Sequence, residues 1–155
     1  MRHLLFPTVV ALAATGASLA AQEAPTALTD ALDTAAAECA AFEGGVLTVP
    51  DDAPREVYLG GGDGGWVLDF ADLSCSSMAS FGCGTGGCRV LFAVGGHVTE
   101  RFAAGWTVVA FGVRPVVLLD VHGSRCGGAN PTPCVEALVW DGGRGAFSTL
   151  AKPAP

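Results

Sequence analysis

Asp120-Val121-His122-Gly123-Ser124 sets three reactive side chains at two-residue spacing. If a strand continued through them, its alternating side chains would put all three on one face. A D-x-H pair can ligate a metal ion, and a Ser/His/Asp set can carry acyl transfer. Each chemistry makes a further demand. A metal needs a third ligand, and beyond His3 the other histidine is His97. A triad needs relayed hydrogen bonds, whereas same-face neighbours on a strand lie roughly 6.5–7 Å apart at Cα. The sequence has no G-x-S-x-G elbow to expose the serine. The reading taken is a hydrogen-bonded strand end that leads into a cysteine loop. A small metal-dependent or hydrolytic enzyme centred on Asp120, His122 and His97 is the alternative.

Other groups invite chemistry and fit it less well. Cys83 and Cys88 are separated by four residues, not the two of a redox C-x-x-C, and glycines surround them. Gly82 to Gly87 has the glycines of a phosphate loop without its lysine or following helix. Cys75-Ser76-Ser77 reads as a serine-rich turn beside a disulfide. Trp66, Trp106 and Trp140 read as core aromatics, with a sugar-stacking surface as the competing use. No cofactor is expected from these residues.

The chain has 155 residues, half of them hydrophobic and 15% charged, with a net charge of −7. So acidic a balance argues against nucleic-acid binding, which needs a basic face. So many apolar residues argue against a disordered chain. Arg2 and His3 precede an apolar run from Leu4 to about Ala14, and Ser18 and Ala20 offer a small-residue cleavage site. Residues 1–20 are therefore expected to be a secretory signal peptide. Pro7 and the short apolar core disfavour a retained anchor, and no later segment is apolar enough to span a membrane.

Export gives the cysteines a meaning. All six follow the leader, and an even count in a small exported chain reads as three disulfides. The expected pairs are Cys83–Cys88 and Cys126–Cys134 as local staples, leaving Cys39–Cys75 to tie a helix to the rest. The long loop closed by that last pair constrains the unfolded chain most, by roughly 3–4 kcal/mol.

The elements follow from periodicity. Residues 21–26 form a flexible leader. Leu28, Leu32, Ala35, Cys39 and Phe42 recur at helical spacing and predict one helix from about Thr26 to Phe42, ended by Gly44-Gly45. Asp30 and Asp33 sit towards its positive end. From residue 46 the pattern changes to short apolar blocks. Strands are expected near 46–49, 55–59, 66–71, 89–94, 97–103, 106–112, 115–122, 134–140 and 146–149. Gly95-Gly96 and Gly142-Gly143 mark hairpins. The expected fold is mainly β with one N-terminal helix: an antiparallel meander, as an open sheet or partial barrel. A single disulfide-stapled domain spans 27–150, with a disordered tail at 151–155.

Two resemblances add to this. Leu59 to Asp69 (LGGGDGGWVLD) resembles the N-G-D-G-x-x-D element of exported proteins related to FG-GAP and VCBS repeats. That likeness implies a calcium loop on Asp63, Asp69 and Asp72. Gly61 and Leu59, however, stand where side-chain ligands belong, so a glycine-rich turn is the reading taken. Residues 55–150 resemble a group of uncharacterised exported bacterial proteins. The shared features are Gly62-Asp63-Gly64, the Cys83–Cys88 loop (CGTGGC), Cys126 with Cys134, and Trp140-Asp141-Gly142 leading to Phe147. The resemblance implies a β-rich exported fold and carries no catalytic residues.

Charge is unevenly spread. Between 23 and 72 there are eleven acids and one base, Arg55; after 72 there are four acids and six bases. This half is read as a solvated face, and its sharper use is attraction of a basic partner or divalent cations. The function expected is a non-catalytic periplasmic or secreted module, binding or structural. The expected partner is an unknown macromolecule or envelope component; the sharper version is a basic one, such as a basic hydrolase.

Overall fold

A computed structural model of the chain describes residues 23–62, 64–130 and 132–151. The expected signal peptide, Asp63 and residues 152–155 lie outside the described residues. Helix α1 spans Thr26–Ala41. Its stripe buries Leu28, Ala35 and Cys39 completely, with Ala31 and Leu32 partly buried beside them. Asp30 and Asp33 fall beyond the first turn, which carries no acid. The helix ends where Glu43 and Gly44 adopt left-handed φ values of 51° and 68°.

One antiparallel sheet contains β2 (Arg55–Glu56), β3 (Trp66–Asp69), β5 (Cys83–Gly84), β6 (Gly87–Val94) and β7 (His97–Ala103). Strand β6 pairs with β7 along one side and with β3 and β5 along the other. A second antiparallel sheet has the order β11-β10-β9-β8: Ala146–Ala151, Val135–Asp141, Arg114–Asp120 and Gly105–Phe111. A two-stranded ribbon of β1 (Leu47–Thr48) and β4 (Ser74–Cys75) lies beside the helix. The fold is thus mainly β with one helix near the N-terminus, and its sheets are open.

The expected meander divides at Ala104. This residue joins β7 to β8, which do not pair, and its N–H donates to Asp120 O at 2.7 Å. The chain there leaves the first sheet and enters the second. Two hydrophobic cores result. Between the sheets lie Val67, Val90, Phe92 and Val94 from one side and Val117, Leu119 and Leu138 from the other. Between the first sheet and α1 lie Leu68, Leu91, Ala93 and Phe70 with the helix stripe. The order is helix, sheet, sheet. Strand β6 is buried on both faces, which is why its sequence is continuously apolar from Val90 to Val94.

Three disulfides join Cys39 to Cys75, Cys83 to Cys88 and Cys126 to Cys134, the pairs expected from spacing. Cys39–Cys75 holds α1 to the β1/β4 ribbon. Gly87 has φ 102°, and a Cβ there would run into the Ala103 backbone, so the Cys83–Cys88 hairpin requires glycine at its turn into β6. Some boundaries differ from expectation. Strand β2 ends at Glu56, β3 gives way at Phe70 to a 3-10 turn, and β11 runs on to Ala151. Strand β9 ends at Asp120, two residues earlier than expected, because Gly123–Cys126 coils into a second 3-10 turn.

Candidate functional site

The early end of β9 changes the chemistry of the Asp120–Ser124 stretch. His122 is not on the strand; it caps the turn that follows. Its Nδ1 accepts the Ser124 N–H at 3.2 Å and lies 2.9 Å from Ser124 Oγ. With Nδ1 accepting from the backbone, the hydroxyl is the natural donor of the second contact. His122 and Ser124 therefore form a local pair. The common face expected of a continuing strand is not formed, and Asp120 makes no side-chain hydrogen bond to either among the described residues. This end of β9 meets the tips of both disulfide loops. Asn130 Nδ2 donates to Thr85 O at 3.3 Å, and Thr85, Asp120, His122 and Thr132 line a recess of about 260 Å³.

His97 sits elsewhere. It opens β7, with its ring 6.0 Å from Trp140 and beside Gly145. Trp140 belongs to the hairpin end of the second sheet, next to Pro115 through Gly60. Asp120 and His122 belong to the opposite end of β9, roughly 20 Å away over six strand rises. Asp120, His122 and His97 are not brought together.

Of the carboxylates considered for a calcium loop, Asp69 and Asp72 are engaged structurally. Asp69 Oδ1 accepts the Ala71 N–H at 2.9 Å, capping the first 3-10 turn, and Asp69 Oδ2 accepts Trp106 Nε1–H at 2.7 Å. Asp72 pairs with Arg55 at 2.6 Å. Among the described residues no group of three potential metal ligands is assembled. Trp106 joins the two sheets: it stands edge-on to Phe92, and Arg55 lies over its ring at 5.2 Å.

Sequence reading missed Glu136. It is buried between the sheets, 7% exposed, with Arg125 at 2.8 Å, Arg101 at 3.9 Å and Thr149 donating at 3.2 Å. Alternation along β10 was the available signal, since Glu136 shares its face with Leu138. Arg89 was also missed. Its guanidinium lies on the Phe70 ring at 3.7 Å and its Nε is buried without a hydrogen-bond partner.

Three surfaces remain for recognition. The helix layer is acidic: Asp30, Asp33, Glu38, Glu43, Asp51 and Asp52 are all exposed, and α1 carries no base. At the hairpin end, Arg114, Trp140, Asp141 and Arg144 line a cleft of about 540 Å³, where Arg144 is paired with Asp141 at 3.0 Å. The third surface is the outer face of the second sheet. Pairing register puts Val109 and Phe111 of β8, Val116 and Leu118 of β9, and Val135, Ala137 and Val139 of β10 on that face. Val116 is buried at 6% exposure, and Val109, Leu118, Ala137 and Val139 are half-buried, although none of these packs into either of the two core clusters. Phe111, Val135 and the nearby Val113 and Leu150 are exposed.

No family model matches the chain, and no curated protein or solved structure shows significant similarity to it. No described helix is long and apolar enough to cross a membrane.

Proposed function

We propose that the chain is an exported, non-catalytic module that acts by binding a macromolecule or envelope component, or by a structural role there. The observation that carries this reading is the local use of His122 and Ser124: the most reactive-looking side chains cap a turn. Three disulfides support an oxidising compartment. The leader-like residues 1–20 and the resemblance to exported proteins with a C-G-[ST]-G-G-C loop support periplasmic or secreted location. The acidic helix layer supports a basic partner.

The test combines location and capture. Expressed in its own type of host, the chain is expected outside the cytoplasm, starting at Ala21 and with no free thiols. Low-salt pull-down on the native protein is expected to retain a basic envelope protein that high salt releases. Cytoplasmic accumulation with six free thiols overturns the proposal.

The enzymatic alternative has one observation in its favour, the 2.9 Å contact between His122 Nδ1 and Ser124 Oγ. It requires ester or amide turnover by the purified chain that Ser124→Ala abolishes while leaving the fold intact. Such turnover would replace the binding reading.

A further inference from the structure

On the outer face of the second sheet the edge residues Phe111 and Val135 are exposed, the middle is half-buried with Val116 at 6% exposure, and the charges have a particular arrangement. Arg114 and Asp120 are the two ends of β9. Alternation puts both on the outer face, together with Val116 and Leu118 between them. Both are exposed, and neither makes a salt bridge among the described residues. Between the two ends the face carries no charge: Val109, Leu118, Ala137 and Val139 fill its centre. Asp141 of β10 also lies at the Arg114 end, but it is paired with Arg144 at 3.0 Å, which leaves Arg114 as the unpaired charge there among the described residues. An unpaired positive end, an apolar middle and an unpaired negative end on β9 make a pattern that complements itself when turned end for end.

We propose that this face binds a second copy of the same chain, forming a two-fold dimer in which the outer sheets pack face to face. With the axis in the interface plane and across the strands, β9 runs antiparallel to its counterpart. Arg114 then faces the partner's Asp120, and Asp120 the partner's Arg114, so one contact is made twice. Flat sheets of β-branched and aliphatic residues pack in this aligned manner about 10 Å apart. Four strands about 4.8 Å apart and six residues long give a flat footprint of roughly 400 Å². That is about the size of the largest apolar patch a monomer carries, and it lies below the usual 800 Å² per partner. The dimer is accordingly weak and dissociates on dilution. This inference is independent of the binding reading above, because it uses the face opposite the acidic helix layer.

Sedimentation velocity over a wide concentration range, on the native exported protein, tests it. A reversible monomer–dimer equilibrium is expected. Arg114→Asp or Asp120→Arg alone is expected to raise the dimer dissociation constant at least tenfold. Combining the two exchanges the charges and is expected to restore it to within about threefold of the native value. Leu118→Lys, in the middle of the face, is expected to leave only monomer with an unchanged near-ultraviolet circular dichroism spectrum. A monomer at every concentration overturns the proposal, including the case in which a different protein is found to cover the face. A dimer that none of the three variants weakens overturns it too.

Discussion

Glu136 is the side chain on which the inter-sheet contact most visibly depends. Its carboxylate is buried while its cationic partners are not: the Arg125 side chain is 62% exposed and that of Arg101 31%. The two directions of mutation should therefore differ. Glu136→Gln removes the charge and leaves two arginines that can rehydrate, for an expected loss of about 1–2 kcal/mol. Replacing Arg101 and Arg125 together by Met strands a buried carboxylate, and a loss of about 3 kcal/mol is expected. Urea unfolding of the three proteins checks the order. Equal midpoints for all of them would mean that water already solvates the carboxylate. Asp69 poses a parallel case. Asp69→Ala removes both the cap on Ala71 and the acceptor of Trp106 Nε1–H, for about 2–3 kcal/mol in total. Because Trp106 is one of three tryptophans, its fluorescence should shift as well. A stability loss without a spectral change would place the cost in the cap alone.

The elements differ in how far they could be read in advance. Strand β6 announces itself because both its faces are buried and its residues are apolar without interruption. Helix α1 is legible for the opposite reason, a single stripe on an otherwise small and acidic segment. Strands β4 and β5 have two residues each, too short for any period to register. The division into two sheets leaves no mark either. Ala104 is an ordinary residue, and what makes it a corner is the Asp120 carbonyl waiting 2.7 Å away, a contact sixteen positions along the chain. The end of β9 was misplaced at the same corner. A two-residue period carried the strand on to His122 and argued for a common face, whereas Gly123–Cys126 coils into a 3-10 turn whose Ser124 N–H is accepted by the His122 side chain. At this scale the disulfides are not equivalent. Cys39–Cys75 spans 36 positions and Cys83–Cys88 spans five. Chain entropy gives about 4 kcal/mol for the first and about 2 kcal/mol for the second. Replacing each pair by alanines and comparing guanidinium midpoints tests the ratio. If the short staple costs more, the rigidity of the glycine hairpin, and not loop closure, is what it supplies.

Taken whole, the molecule is a stack in which the middle sheet is shared. Phe92 and Val94 face the second sheet while Leu91 and Ala93 face the helix, so loss of either outer layer exposes half of β6. The outer layers are held differently. The second sheet adheres through a broad apolar contact, the Trp106–Asp69 hydrogen bond and the Glu136 cluster. The helix adheres through a narrower stripe and one disulfide. Opening should therefore be hierarchical. In hydrogen exchange, amides of Val90–Val94 and of Val117 and Leu119 are expected to be the slowest, exchanging only by global unfolding. Those of α1 are expected to exchange earlier. Replacing Cys39 and Cys75 together by alanine should widen the gap, because the helix then loses its covalent tether while the inter-sheet core is unchanged. If the replacement instead speeds β6 and α1 equally, the two cores melt as one unit, and the layered account of stability fails even though the layered geometry stands.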